Sequence, residues 1–466
     1  MDYLETFSPV VRTTTIRLVL DVATTKSWPL KQLDVSNAFL HGELHEPVFM
    51  YQPTSFVDSQ KPNHVCRLTK ALYGLKQAPR AWFDTFSNFL LDFGFVCSKS
   101  DPSLFVCLQD GKTLYLLLYV DDILLTGSDQ SLLEDLLKAL NNRFSMKDLG
   151  PPRYFLGIQI EDYSDGLFLH QTAYASEILH HAGMSDCNPM PTPLPQQLTN
   201  LNSEPFEEPT YFRSLPGKLQ YLTITRPDIQ YAVNFICQRM HLPTVSNFGL
   251  LKRILRYIKG TLGMGLPIKR NSELAVSGYS DSDWAGCKST RRSTTGFCIL
   301  LGSNLISWSA KRQPTVSNSS TEAEYRALTY AAREITWISL LLRDLGVSQY
   351  RPTQVFYDNL SAVYLSSNPA LHNRSKHFDT DYHYIREQVA LGLIETNHIS
   401  ATTQLADIFT KPLPRRAFID LRTKLGVSGS LTPSLRDGVR NKHQTGPIKN
   451  KESGPTKSSQ QKSQQK

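Results

Sequence analysis

Asp121 and Asp122 stand between two apolar runs, Leu114 to Leu118 and Ile123 to Leu125, a pattern that predicts a β-hairpin with the acidic pair at its tip. Carboxylates so placed could hold divalent cations. Nucleotide transfer can be driven by two such ions about 4 Å apart, one activating the attacking oxygen and the other stabilising the leaving one. Magnesium takes carboxylate oxygens and keeps several waters, so a site of this kind needs two or three aspartates on rigid backbone. The pair meets half of that requirement, and adjacent aspartates are also ordinary turn chemistry. Histidines and cysteines offer less. His372, His377 and His383 fall within twelve residues, but no cysteine or acidic partner stands at metal-finger spacing. The seven cysteines are scattered without a zinc pair or a redox dithiol, and read as reduced, mostly buried thiols.

The elements that must position these groups fall into blocks, and 466 residues are enough for two or three domains. Residues 1–185 mix short strands with helical stretches. Residues 186–210 carry four prolines between Pro189 and Pro195, which predicts a linker without regular hydrogen-bonded structure. Residues 211–270 read as helical, interrupted at Pro227 and Pro243. Residues 271–427 open with strands at Ala275 to Ser280 and Phe297 to Ile306. A helix from about Thr321 to Leu345 and a strand at Val355 to Tyr357 follow, an order that predicts an α/β layer domain. The tail, 428–466, has the Ser, Gln, Lys, Gly and Pro composition expected of a disordered segment. It holds eight Lys or Arg and two acidic residues, so +6 of the net +8 lies there and the body carries only about +2. Overall charge is therefore weak evidence for a polyanion partner. Met1 to Glu5 shows no signal-peptide pattern, and the run Leu114 to Leu118 is too short to cross a bilayer. A soluble intracellular chain, cytoplasmic or nuclear and not secreted, is expected, with no membrane partner and no particular oligomeric state indicated.

Four segments then give the acidic pair a context. Tyr119-Val120-Asp121-Asp122 resembles the catalytic hairpin of reverse transcriptases. Gln32 to Gly42 resembles the strand that carries the other metal-binding aspartate, here Asp34. Ala71 to Trp82, which contains Gly74, Gln77 and Pro79, is similar to the segment that supports template and incoming nucleotide. Tyr154 to Ile158, with Gly157, stands where that family has its primer-holding hairpin. The wording of all four is that of copia-type LTR retrotransposon Pol polyproteins. The resemblance implies Asp34, Asp121 and Asp122 as metal ligands and Phe39 beneath the sugar of the nucleotide, where its ring would reject a 2′-hydroxyl. Gly74, Gln77, Pro79 and Gly157 would be substrate-binding, and Lys76 and Arg80 could meet phosphate. In that family the stretch like Asp2 to Val11 follows the fingers, so a palm with incomplete fingers is expected.

The later blocks extend the resemblance to a ribonuclease H. Gly278 to Gly286 is similar to that fold's first strand and makes Asp281 the central ligand, with Asp283 secondary. Ser319 to Leu328 resembles its first helix and offers Glu324, which a Ser319–Glu322 capping box would leave free. Val355 to Asn359 supplies Asp358, Gln404 to Pro412 supplies Asp407, and His398 resembles a mobile histidine that assists water handling or product release. Thr223 to Ile229 and Tyr257 to Thr261 resemble the family's connection between the two enzymes. The fold implied is an α+β reverse-transcriptase palm followed by a ribonuclease-H-like α/β domain.

The implied activities are RNA-directed DNA polymerase and endoribonuclease H, with two Mg2+ ions per site. The implied partners are an RNA template, a DNA primer, an RNA-DNA hybrid and deoxynucleoside triphosphates. A hybrid is recognised by backbone shape and 2′-hydroxyls, and Lys252, Arg253, Arg256 and Lys259 could line a phosphate track. The competing expectation is a truncated element with an inactive polymerase half, acting as a hybrid-specific ribonuclease or a non-catalytic nucleic-acid-binding remnant.

Overall fold

The computed structural model describes residues 9–163, 165–198, 204–271, 273–367 and 379–429. His372, His377 and the tail beyond 429 lie outside them. The first block contains α1 (Thr13–Thr25), β1 (Leu30–Val35), β2 (Glu43–Tyr51), β3 (Val65–Lys70), α2 (Ala78–Phe93), β4 (Val96–Cys97) and β5 (Leu104–Gln109). It continues with β6 (Lys112–Tyr119), β7 (Asp122–Gly127), α3 (Gln130–Phe144), β8 (Met146–Asp148), β9 (Tyr154–Phe155), β10 (Ile158–Tyr163), β11 (Gly166–His170) and α4 (Thr172–His181). One six-stranded antiparallel sheet has the order β4-β5-β6-β7-β1-β8. Its centre is apolar on both faces because β6 is a nearly continuous apolar run. Strand alternation sends Leu114, Leu116 and Leu118 beneath α2 and α3, and Tyr115 and Leu117 into the opposite core. Helix α2 meets the first face with Trp82, Phe86 and Leu90, four residues apart and fully buried. Pro79 lies in its first turn and Gly94, at φ +106, ends it. Strands β2 and β3 form a separate two-stranded ribbon, an element the sequence reading did not anticipate.

The middle of the chain holds α5 (Pro209–Leu222), α6 (Gln230–Cys237), α7 (Val245–Lys259) and β12 (Met264–Lys269). Two expectations change here. The proline-rich segment is no free linker: Thr192 and Leu194 are buried, and the Met190 N–H donates to Arg256 O at 3.1 Å. Arg253 donates to Thr192 Oγ1 at 2.8 Å and Arg256 to Asn188 O at 2.7 Å, so half of the expected phosphate track holds this strap instead. Proline rules out ladder hydrogen bonds, but it does not prevent packing. Strand β12 then pairs with β11 in a sheet of order β18-β12-β11-β10-β9, so the 211–270 block is joined to the first by main-chain hydrogen bonds.

The last block comprises β13 (Val276–Asp283), β14 (Thr294–Leu301), β15 (Asn304–Arg312), α8 (Ser320–Asp344), β16 (Thr353–Tyr357) and α9 (Leu360–Ser367). After it come α10 (Asp379–Ala390), β17 (Ile394–His398), α11 (Arg415–Lys424) and β18 (Ser428–Gly429). The strand expected over 297–306 is two strands, because Gly302 at φ +58 turns the chain between them. The tail boundary also moves, since Ser428 and Gly429 pair with β12. The sheet order is β15-β14-β13-β16-β17, with β16 and β17 parallel to β13. Helix α8 buries Leu328, Ala331, Ala332, Ile335, Ile338 and Leu342 against this sheet. One continuous core runs from Val11 to Val427 through all three blocks.

Candidate active sites

The hairpin formed by β6 and β7 closes at Val120 and Asp121, and pairs Tyr119 with Asp122. Val120 takes φ +56, costly for a β-branched residue, and its carbonyl accepts the Trp82 indole N–H at 2.6 Å. Strand β1 lies beside β7 with Asp34 opposite Asp122, and the Val35 N–H donates to Asp121 O at 3.0 Å. Two distant stretches of sequence thus bring Asp34, Asp121 and Asp122 to one sheet end. Burial raises the Asp122 carboxyl above its ordinary value and Asp121 adds to that, while a hydrogen bond from Gln32 opposes it. Phe39, in the short turn Ala38–His41 after β1, packs against Tyr73 with ring centroids 4.8 Å apart. Gly74 has φ +94, Gln77 is buried at the start of α2, and Arg80 is bound to Asp84 at 3.0 Å. Leu156 and Gly157 both have positive φ in the turn from β9 to β10. A Cβ at Gly157 would meet Tyr221 Oη at 2.0 Å, and that hydroxyl donates to Leu156 O at 2.6 Å.

The second acid set is drawn tighter. Asp281, Glu324 and Asp358 each bring one carboxylate oxygen within 4.8 Å of the others, the sole group of this kind among the described residues. Asp34, Asp121 and Asp122 share a sheet end without reaching that spacing. Parallel pairing of β13 with β16 places Asp281 and Asp358 at neighbouring strand ends. Ser319 caps α8 by accepting the Glu322 N–H, and Glu322 is engaged by Arg326 at 2.7 Å, which leaves Glu324 to face β13. The Ser282 N–H donates to Glu324 Oε1 at 3.3 Å, while Glu324 Oε2 is buried without a hydrogen-bond partner. Burial, followed by Asp281 and Asp358, pushes the Glu324 carboxyl well above its ordinary value.

Asp407 arrives on the 3-10 turn Leu405–Phe409, held by Gln404, whose amide donates to Ser280 O at 2.9 Å. Gly296 of β14 lets this turn approach: a Cβ there would meet Thr410 Cγ2 at 2.6 Å and Phe409 Cβ at 2.9 Å. Burial and Asp281 raise the Asp407 carboxyl to about 7, although Lys411 opposes the rise. Lys411 Nζ lies 2.7 Å from Asp407 and 4.0 Å from Asp281. The sequence reading gave Lys411 no role, and neither Thr410, whose hydroxyl donates to Asp281 Oδ2. Spacing four residues on from Asp407 was the signal available for Lys411. Asp283 accepts the Thr294 N–H, and burial raises it to about 7. His398, exposed at the end of β17, is the register partner of Tyr357, next to Asp358. An orphaned buried oxygen among three crowded carboxylates is a donor set that fits a divalent cation.

Known proteins give this arrangement a family. The reverse transcriptase (RNA-dependent DNA polymerase) family profile matches residues 1–196. The retrovirus-related Pol polyprotein from transposon RE1 of Arabidopsis thaliana is 49% identical over 431 residues, which is 92% of this chain and 29% of that protein. An uncharacterised mitochondrial protein of the same plant is 64% identical over 227 residues, 48% of this chain and 95% of its own length. A putative transposon Ty5-1 protein of Saccharomyces cerevisiae is 30% identical over 308 residues, 65% of this chain and 100% of its own length. The chain thus spans less than a third of RE1 and the whole of the Ty5-1 protein. With four reverse-transcriptase-like segments in order and identity across nearly all its length, this chain belongs to the copia-type retrotransposon Pol family.

Proposed function

We propose that this chain cleaves the RNA strand of an RNA-DNA hybrid at Asp281, Glu324, Asp358 and Asp407. The convergence of three carboxylate oxygens within 4.8 Å is the observation that carries this reading. Asp281, Glu324 and Asp358 would hold divalent cations, Mg2+ being the natural choice for an all-oxygen donor set. Bound there, such cations supply a nucleophilic water and neutralise the leaving oxygen. Asp407 and Lys411 complete the electrostatics: the ammonium offsets Asp281, Asp407 and Asp358, and each of these carboxylates keeps the ammonium charged. His398 stands exposed and close enough to Asp358 to oppose the rise of its carboxyl. Asp358→Asn keeps the shape and removes a ligand charge. Loss of an outer partner of a metal ligand costs about 10- to 100-fold, so hybrid cleavage should fall by at least about 100-fold. Unchanged cleavage by this variant would refute the assignment.

We further infer a polymerase palm at Asp34, Asp121 and Asp122, supported by the family profile over residues 1–196 and by the Asp34–Asp122 register. RNA template, DNA primer and deoxynucleoside triphosphates would be its substrates. Primer extension on an RNA template with Mg2+ tests it. No incorporation by protein that binds the hybrid well would leave the first block as scaffold for the ribonuclease.

A further inference from the structure

The sheet end that carries Asp281 is also ringed by cations. Asp281 and Asp283 of β13 pair with Gly296 and Thr294 of β14, which pair in turn with Ala310 and Arg312 of β15. Residues paired across strands share a face, so Arg312 lies on the face of the two aspartates. Its guanidinium reaches Cys287 Sγ at 3.5 Å. The loop from Cys287 to Arg292 is closed on itself: the Cys287 N–H donates to Arg292 O at 3.2 Å and the Arg291 N–H to Cys287 O at 2.7 Å. That closure fixes the backbone from which Lys288, Arg291 and Arg292 extend, all exposed. Arg239, two residues beyond α6, comes in from the connecting helices and lies 3.5 Å over the Phe235 ring, near enough to feel the charge of Arg312.

None of these five cations has a carboxylate within ion-pair distance among the described residues. Some such side chains elsewhere are paired, as Arg80 is with Asp84 and Arg326 with Glu322. A body whose net charge is only about +2 thus places five cations without a carboxylate partner at the edge of one acid cluster. Arg239 and Arg312 repel one another, and a polyanion laid across the set removes such repulsion and releases its own counterions.

We propose that Arg239, Lys288, Arg291, Arg292 and Arg312 form a backbone grip, taking consecutive phosphates of the hybrid whose scissile RNA linkage lies at Asp281, Glu324 and Asp358. This rests on the ribonuclease reading above. It gives the connecting helices a direct part in substrate binding through Arg239. Lys311 is the internal control, because it pairs with Thr295 and so projects from the opposite face.

The test uses the full chain and a fluorescent hybrid of about 20 base pairs, with anisotropy measured in chelator between about 50 and 200 mM KCl. Each lost phosphate contact lowers the log–log salt slope by about 0.9. A Lys288→Gln, Arg291→Gln, Arg292→Gln triple variant should therefore lose about 2 to 3 from the slope, bind at least about 10-fold more weakly, and melt at the wild-type temperature. Lys288→Glu alone serves if the triple variant misfolds, and Lys311→Gln should leave the slope unchanged. Wild-type slope and affinity in the triple variant, or an equal loss from Lys311→Gln, overturns the grip. If the wild-type protein cleaves hybrid while the triple variant binds normally, the grip fails and the ribonuclease stands. If wild type binds with a slope the triple variant loses but cleaves nothing, the ribonuclease fails and the backbone site stands. A wild type that does not bind hybrid sinks both.

Discussion

Individual carboxylates at the second site are held in a state they would not choose alone. Glu324 is buried with an unpartnered oxygen, and Asp407 is raised to about 7 by burial and by Asp281. Protonation relieves that crowding in acid, and a bound divalent cation would relieve it at neutral pH. A folded-state pKa raised above the unfolded value means that stability is present below about pH 4 and lost as pH rises through the folded value near 7. Chelated protein should therefore lose stability across that window. Mg2+ at a fixed millimolar concentration should raise the melting midpoint more at pH 8 than at pH 5.5, since it competes with protons for the same oxygens. Differential scanning fluorimetry at the two values reads this directly, and equal shifts at both would count against a carboxylate cation site. The protein should show a smaller pH difference as Asp407→Asn, where one of the raised groups is gone.

At the level of elements, the second site depends on close approach at a glycine. Gly296 admits the turn that carries Asp407, with Thr410 Cγ2, Phe409 Cβ and Ala406 O all within 3.1 Å of where a Cβ would stand. Gly296→Ala has to push that turn off the sheet. Overpacking of this kind costs about 1 to 3 kcal/mol, and hybrid cleavage should drop by at least about 10-fold as Asp407 and Lys411 retreat. Cleavage kinetics beside a thermal melt separate the two effects, and wild-type cleavage would show that Asp407 contributes little.

The hairpin at Asp121, the helix at Glu324 and the strand before Asp358 were legible in the sequence, because each is a short apolar or periodic pattern beside an acidic residue. The crossing of β1 beside β7 and the Gly296–Thr410 contact were not. They join residues about 90 and 110 positions apart, a separation that local periodicity does not encode. The strap at Thr192 and Leu194 escaped for a related reason: prolines announce the loss of ladder hydrogen bonds, whereas burial depends on the distant helix α7.

Across the whole molecule, α1 is one of the elements that join the first block to the last, beside Ser98 and Ser100, which donate to Asp344 of α8. Arg17 of α1, fully buried, donates to Ile306 O at 2.8 Å and to Ile224 O at 2.6 Å, and lies 3.9 Å over the Trp308 ring. One turn later Asp21 is completely buried, accepting from Asn271 at 3.1 Å and from Thr25 at 3.3 Å. The expected linker and connection thus separate nothing; the blocks meet across a joint with a buried acid inside it. Burial lifts the Asp21 carboxyl to about 7, against hydrogen bonds from Asn304, Asn271 and Thr25 that hold it down. Its folded value lies above its unfolded one, so Asp21 supports the joint in acid and withdraws that support as pH rises from about 4 to about 7. Asp21→Asn keeps an acceptor toward Asn271 and cannot ionise. Whatever constant penalty the amide brings, the melting midpoint of the variant relative to wild type should climb by at least about 2 °C between pH 4.5 and pH 7.5. The measurement belongs in chelator, so that the acid cluster contributes equally to both proteins. A difference that stays flat over this range would mean that Asp21 is ionised in the joint throughout, stabilised by groups other than those that touch it.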